Sequence, residues 1–286
     1  MTADPTSPVN IRVAFPTPYT EKAEFLISLD RSRHTEGQIA ACLQGGWLYE
    51  HFTSWVMTGL LRPGDVAVDV GAHVGYYTLL MRTLVGDSGA VHAAEPLPQS
   101  HAALVHNVRS NGYSNVVCSA LAITDRNGQA RFELDSRNEG ESHLAAAKTG
   151  SAPGDSTIMV ETATLDAWLG GLERAPRLLK LDAEGCEARI LSGGKSFFRS
   201  LRPDAVVCEI NPTALQRFGA DEMSLRSDFA ALGYNSYLIN VANDGPYDLC
   251  QGAILRPFSA DERVTVNVVH NLLFCQPGVV PSGLGI

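Results

Sequence analysis

Val66-Ala67-Val68-Asp69-Val70-Gly71-Ala72-His73-Val74-Gly75-Tyr76-Tyr77-Thr78-Leu79-Leu80 is the stretch whose reading decides the fold. Its first residues are rich in valine and apolar apart from Asp69, the pattern of a strand buried on both faces. Glycines then turn the chain, and Val74, Tyr77, Thr78 and Met81 fall on one face at helical spacing. A strand, a glycine turn and a helix open the nucleotide-binding half of an open α/β sheet. A dinucleotide site takes Gly-x-Gly-x-x-Gly, so that backbone can approach a pyrophosphate. Counted from Gly71, this chain has His73 and Tyr76 where the second and third glycines would stand. Asp69 adds a carboxylate at the strand's end, which repels a diphosphate and attracts a cation. The ligand that suits these residues is a nucleoside with a positively charged tail, and S-adenosylmethionine is one.

The whole chain agrees with that scale of ligand. Its 286 residues suffice for one large domain or two small ones. A net charge of −9 argues against nucleic acid as the main partner, since phosphate neutralisation needs a basic face. No apolar run approaches the roughly 18 residues of a membrane span, and Met1 to Asn10 lack the basic-then-apolar pattern of a signal peptide. Cys42, Cys118, Cys186, Cys208, Cys250 and Cys275 lie far apart with no Cys-x-x-Cys pair. They read as reduced core residues of a cytoplasmic protein.

Outward from the central stretch, residues 1–18 read as a frayed arm because of Pro5, Pro8, Pro16 and Pro18. Glu21–Leu29 fits a strand or a short helix, and Gly37–Leu43 and Tyr49–Leu61 read as helices. Residues 1–62 are therefore expected to be an N-terminal arm and helical cover, and 63–286 the main domain. Beyond it, strands and helices alternate: strands at 90–94, 115–122, 129–134, 157–162, 177–182, 205–210, 235–241 and 267–275, with helices at 98–111, 165–169, 187–201 and 225–232. This alternation predicts a largely parallel sheet with helices on both faces. Asp135–Ser156 has no clear period and reads as a solvated insertion or an active-site loop.

Four acids fall at strand ends, where open α/β sheets carry their chemistry. Glu95, twenty positions after Gly75, suits the acid that accepts hydrogen bonds from ribose hydroxyls. Asp125, in the turn Asp125-Arg126-Asn127-Gly128, lies where the base would approach. Lys180 and Asp182 share one side of their strand by period two. Glu209-Ile210-Asn211-Pro212 closes the next strand. Asp69, Glu95, Asp182 and Glu209 would thus ring one edge of the sheet and suit a cationic ligand, a metal or proton transfer; singly, each could equally cap the following helix.

In order along the chain, these clusters resemble the FkbM-type family of S-adenosylmethionine-dependent methyltransferases. The residues that carry the likeness are Val68 to Thr78, Glu95-Pro96, Asn107 with Asn111-Gly112, Asn115-Val116, Asp125 with Gly128, Thr164-Leu165-Asp166, Leu179 to Gly185 with Glu187, Glu209 to Pro212 and Asn271 to Phe274. His73 stands where the family usually has Asn, and Leu181 and Ala183 replace Ile and Val. The resemblance implies a class I, Rossmann-like, seven-stranded and mostly parallel sheet with its last strand antiparallel. It implies methyl transfer, usually to a hydroxyl of a sugar, polyketide or other secondary metabolite in natural product biosynthesis. It also implies that Asp69, Gly71 and Gly75 hold the methionine part of the cofactor and Glu95 the ribose, and that Asp182, Glu184, Glu209 and Asn211 face the acceptor; His73, Tyr76, Pro96, Ala122 and Asp182 are expected at the cofactor as well.

For transfer to oxygen, the acceptor must lose a proton near the methyl transfer. Lys180, Asp182, Glu184 and His143 are the candidate bases, His143 from the long loop. Asp182, Glu209 and Asn211 are oxygen-rich donors that would suit Mg²⁺, which polarises a hydroxyl. N-methylation and a non-catalytic cofactor-binding protein stay open alternatives, and a nicotinamide-dependent reductase is disfavoured by the missing glycines. The expected partner is a small-molecule acceptor, without nucleic acid or membrane. Residues 1–48 could cover the site or join a homo-oligomer.

Overall fold

A computed structural model of the chain describes residues 8–135, 138, 140, 142–145, 156–241 and 247–279. A hairpin of β1 (Val9–Thr17) and β2 (Thr20–Leu29) leads into helices α1 (His34–Gln44) and α2 (His51–Leu60). The quoted stretch forms β3 (Val66–Val70) and α3 (Tyr76–Val85), followed by β4 (Ala90–Ala94), α4 (Pro98–Ser110) and β5 (Val116–Ser119). A second group, β6 (Ala122–Ile123), β7 (Gly128–Leu134), β8 (His143–Leu144) and β9 (Ser156–Ala163), precedes α5 (Leu165–Leu169). Then come β10 (Leu178–Leu181), α6 (Glu187–Gly193), α7 (Lys195–Ser200), β11 (Ala205–Ile210), α8 (Pro212–Arg217), α9 (Glu222–Ala231), β12 (Asn235–Ile239), β13 (Leu255–Pro257) and β14 (His270–Cys275).

The main sheet has the order β13-β12-β14-β11-β10-β3-β4-β5. From β11 to β5 the neighbours are parallel, and β14 runs antiparallel between β11 and β12. Seven of these strands reproduce the expected methyltransferase-type Rossmann-like sheet; β13 adds an eighth, antiparallel to β12. β3 is central and buried throughout: Ala67 joins the core under α1–α4, and Val68 and Val70 join the core on the other face. Each such valine contributes on the order of 1.5–3 kcal/mol by leaving water, so one apolar run commits both layers at once. Gly193 and Gly194 divide the single helix expected over 187–201 into α6 and α7. β6-β9-β7-β8 form a separate small sheet.

The N-terminal segment departs from expectation. Residues 9–17 are a strand, not a frayed arm, and the extension is a hairpin followed by helices rather than a helical cover. Val9, Ile11, Val13 and Phe15 alternate along β1, and the register shifts between Phe15 and Thr17, so Pro16 sits at a bulge. A strand tolerates proline there because no ladder donor is lost. Two asparagines, Asn107 of α4 and its C-cap Asn111, fasten the hairpin: each accepts from and donates to the backbone of β2, at Ser28 and Leu26. Their amides stand in for a neighbouring strand. Asn107 also donates to Val74 O (2.8 Å), which ties the hairpin to the glycine turn. Within Asp135–Ser156, read as structureless, β8 pairs with β7; residues 136–137, 139, 141 and 146–155 lie outside the described residues. No helix among the described residues is long and apolar enough to cross a membrane.

Candidate functional site

The C-terminal ends of β3, β4, β10 and β11 open on one cavity of about 750 Å³, within the roughly 300–1,000 Å³ usual for small-molecule sites. Its roof comes from α1, the residues leading into α2, and the described parts of the 138–144 segment.

The glycine turn forms one wall. Gly71 (φ +78°) is demanded by its neighbour loop: a Cβ there would lie 1.7 Å from the Asp182 carbonyl oxygen. Gly75 (φ +93°) faces α4, where a Cβ would meet the Leu104 Cδ1 at 2.7 Å. Gly71 thus lets two loops pack together, and Gly75 supplies a left-handed turn against a helix. The turn's donors are also committed internally. Gly71 N and Ala72 N both donate to Ala94 O, Gly75 N donates to Ala72 O, and His73 N donates to the Glu95 carboxylate (2.8 Å). A pyrophosphate needs such donors aimed at itself, and here one of them is held by an acid.

Glu95 is buried just beyond β4 and lines the cavity. Its two oxygens accept from His73 N and Leu97 N, each at 2.8 Å. A carboxylate has about four acceptor sites, so two remain for hydroxyl donors such as those of a ribose. Burial pushes its carboxyl up to about 7, against the pull of the two amides. Leu97, Leu121, Ala122 and Ile123 supply an apolar flank beside it, as an adenine would require. These residues fit an adenosyl cofactor.

Asp69 stands one layer behind this wall and is not among the cavity-lining residues. It is wholly buried, and its Oδ2 accepts from Thr78 Oγ1 (2.6 Å); Oδ1 has no hydrogen-bond partner among the described residues. Burial raises its carboxyl above the usual range, and Lys180 and Thr78 oppose that. The expectation of a direct cofactor contact therefore gives way to support of the α3 N-terminus. Gly71, His73, Tyr76, Glu95, Pro96, Ala122 and Asp182 do meet at the cavity, whereas Gly75 caps α3 and is not among the lining residues.

The opposite wall carries the second cluster. Lys180 is buried and its ammonium lies 2.7 Å from Asp182 Oδ2 and 4.7 Å from the centre of the Tyr77 ring. Burial works to lower its pKa, but Asp182, Asp69 and Glu50 outweigh that and hold it above the ordinary lysine value. Its ammonium is thus engaged by the Asp182 carboxylate and the Tyr77 ring. Oxygens of Asp182, Glu184 and Glu209 lie within 4.8 Å of one another. Burial first, then the charges of Asp182 and Glu184, drive the Glu209 carboxyl well above the usual carboxylate range. Asn211 is differently employed: its Oδ1 accepts from Ala214 N (3.1 Å) as the α8 cap, and its Nδ2 faces Glu184 (3.3 Å). Asp182, Glu184 and Glu209 thus form an oxygen-rich set, with the Asn211 amide beside Glu184.

Two further expectations are corrected. His143 faces Glu133 (3.5 Å) and Arg217 (3.2 Å) and is not among the lining residues, so it does not hang over the site as a base. Asp125 bonds Thr124 and Arg126 and lies off the cavity as well. The sequence reading missed Glu50, whose carboxylate accepts from Tyr77 Oη (2.7 Å) and Asn271 Nδ2 (2.9 Å) inside the cavity. The only signal was an acid at a helix start where a short capping side chain is usual.

The family model for the methyltransferase FkbM domain matches residues 69–236. No curated protein matches the chain in sequence. Among solved structures, the fold is similar to an FkbM methyltransferase from Methylobacillus flagellatus KT (16% identity, 77% of this chain and 47% of that one, TM-score 0.44), so the chain spans about half the length of that relative. It is also similar to a S-adenosylmethionine-dependent O-methyltransferase from Thermotoga maritima (13% identity, 96% and 94%, TM-score 0.43). A third is a precorrin-6y C5,15-methyltransferase from Geobacter metallireducens GS-15 (13% identity, 80% and 89%, TM-score 0.43).

Proposed function

The chain belongs to the FkbM methyltransferase family, and from that premise we propose that it is a S-adenosylmethionine-dependent O-methyltransferase acting on a hydroxyl of a small molecule such as a sugar, polyketide or other secondary metabolite. The observation that carries the reading is a single cavity joining the Glu95 wall to the Asp182–Glu184–Glu209 cluster. When bound, S-adenosylmethionine supplies an electrophilic methyl group. Glu95 accepts the ribose hydroxyls on the acceptor sites its two amides leave open. Leu97, Ala122 and Ile123 flank the base. The acid cluster orients the acceptor and takes its hydroxyl proton on a carboxylate oxygen. Glu209 suits that role because its oxygen lies within 4.8 Å of those of Asp182 and Glu184, and a proton taken up there relieves the repulsion among the three carboxylates. The cluster supports oxygen as the acceptor atom: a hydroxyl must give up its proton near transfer, whereas a neutral amine can attack first.

The same three carboxylates would also hold a hard divalent cation such as Mg²⁺, whose chemistry is to polarise the acceptor oxygen. Transfer that persists in excess EDTA excludes that role. The reading as a whole is tested by a methyl-transfer screen against hydroxylated and amine acceptors, run with Asp182→Ala beside the wild type. Product with hydroxylated acceptors, lost in the variant while S-adenosylhomocysteine still binds, supports it. Binding with no transfer to any acceptor points to a cofactor-binding protein.

A further inference from the structure

Four described residues other than glycine adopt positive φ, and three of them line the cavity: Glu50 (φ 42°), His73 (φ 48°) and Glu184 (φ 50°). Left-handed backbone is unfavourable for such residues and collects where function fixes it. His73 and Glu184 fall inside the family match; Glu50 lies upstream of it. Glu50 is the N-cap residue of α2, yet its side chain makes no cap bond. It turns into the cavity and accepts from Tyr77 Oη at 2.7 Å and from Asn271 Nδ2 at 2.9 Å. Tyr77 and Asn271 are both buried. The ring of Tyr77 underlies the Lys180 ammonium, which holds Asp182. Asn271 stands directly opposite Glu209 in the β11–β14 register and also donates to Thr53 Oγ1 (3.2 Å) on α2. One carboxylate therefore holds a residue beside each flank of the acid cluster, Tyr77 beneath Lys180 and Asp182, and Asn271 across the strand pair from Glu209.

We propose that Glu50, supplied by the segment ahead of the family match, is a positioning residue of the transfer site. It fixes where Asp182 and Glu209 present their carboxylates to the acceptor. The inference rests on the O-methyl transfer reading above. It makes the N-terminal segment part of the acceptor half of the site. The cofactor half, built on β4 and the glycine turn, does not depend on Glu50.

The test compares Glu50→Ala with Glu50→Gln, whose amide oxygen can still accept from both partners. Three readouts are taken on the full chain: S-adenosylhomocysteine affinity by calorimetry, kcat and KM on a hydroxylated acceptor that the wild type methylates, and the ¹³C-tyrosine resonance of Tyr77, assigned with Tyr77→Phe. Loss of a hydrogen-bonded charge predicts a fall in kcat of roughly 30-fold for Glu50→Ala, with little change in acceptor KM. Glu50→Gln recovers most of kcat, S-adenosylhomocysteine binds both variants as it binds the wild type, and the Tyr77 resonance moves in the Ala variant and returns in the Gln variant. A Glu50→Ala enzyme with wild-type kcat overturns the proposal. So does a parallel loss of kcat and S-adenosylhomocysteine affinity that Gln does not restore, which marks a merely structural residue. If the wild type methylates nothing, the transfer reading fails on its own account; an unmoved Tyr77 resonance in Glu50→Ala then overturns the positioning as well.

Discussion

Replacing Glu95 by Gln separates the cost of burying a charge from the worth of the bonds it makes. In the fold the carboxyl is pushed up to about 7, from an ordinary value of 4.5. Because the folded value is the higher, folding takes up a proton between those limits. Stability therefore falls as pH rises from 4.5 to 7, and the full cost is present above 7. At about 1.4 kcal/mol per pH step the cost comes to about 3 kcal/mol. Glutamine has no such titration. It does have only one acceptor oxygen for the two amides of His73 and Leu97, and one orphaned buried donor costs about 1–3 kcal/mol. Glu95→Gln is thus expected to be less stable than wild type near pH 5 and about equal or slightly more stable near pH 8. Urea unfolding at the two pH values measures the gap. A similar cost falls on Glu187, also buried and raised to about 7, but it is common to both proteins and cancels. A gap that stays constant between pH 5 and pH 8 refutes the reasoning.

Three other substitutions probe the frame. Gly71→Ala places a methyl against the Asp182 carbonyl at φ +78° and should destabilise the protein by about 3 kcal/mol or more, read as a lowered urea midpoint. Lys180→Met leaves buried Asp69 and part-buried Asp182 without their shared cation. A loss of about 3–5 kcal/mol is expected, with partial recovery when Asp69→Asn is added. His143→Ala should leave S-adenosylhomocysteine affinity and methyl transfer within about two-fold of wild type, since a contact off the cavity contributes little to binding; a large drop in either would return His143 to the site.

The parts of the fold that could be read from sequence are those where local pattern and burial agree. β3 is apolar because both of its faces are covered, and its strand–turn–helix sequence fixed the class of sheet. Glu95, Asp182 and Glu209 were found because a strand's end is a fixed place in such a sheet. The hairpin was obscured by Pro16, whose bulge is visible only once β1 has a partner. Asp69 sits at the right position but one layer too deep, because a strand-end side chain can turn toward its own helix, here to Thr78, as readily as toward a ligand. Asn211 suits an oxygen-rich site by residue type, and in the fold its oxygen also caps α8. Glu50 is 221 residues from Asn271 in sequence; no local pattern joins them.

The central claim is that the Glu95 wall and the internally committed glycine turn select an adenosyl cofactor without a diphosphate. Its most direct measurement is calorimetric titration of the wild-type protein with S-adenosylhomocysteine and, separately, with NADH. The account predicts a saturable, one-site isotherm for S-adenosylhomocysteine that Glu95→Ala abolishes, and no heat of binding for NADH. NADH binding as tightly as S-adenosylhomocysteine, or unchanged S-adenosylhomocysteine affinity in Glu95→Ala, would contradict it.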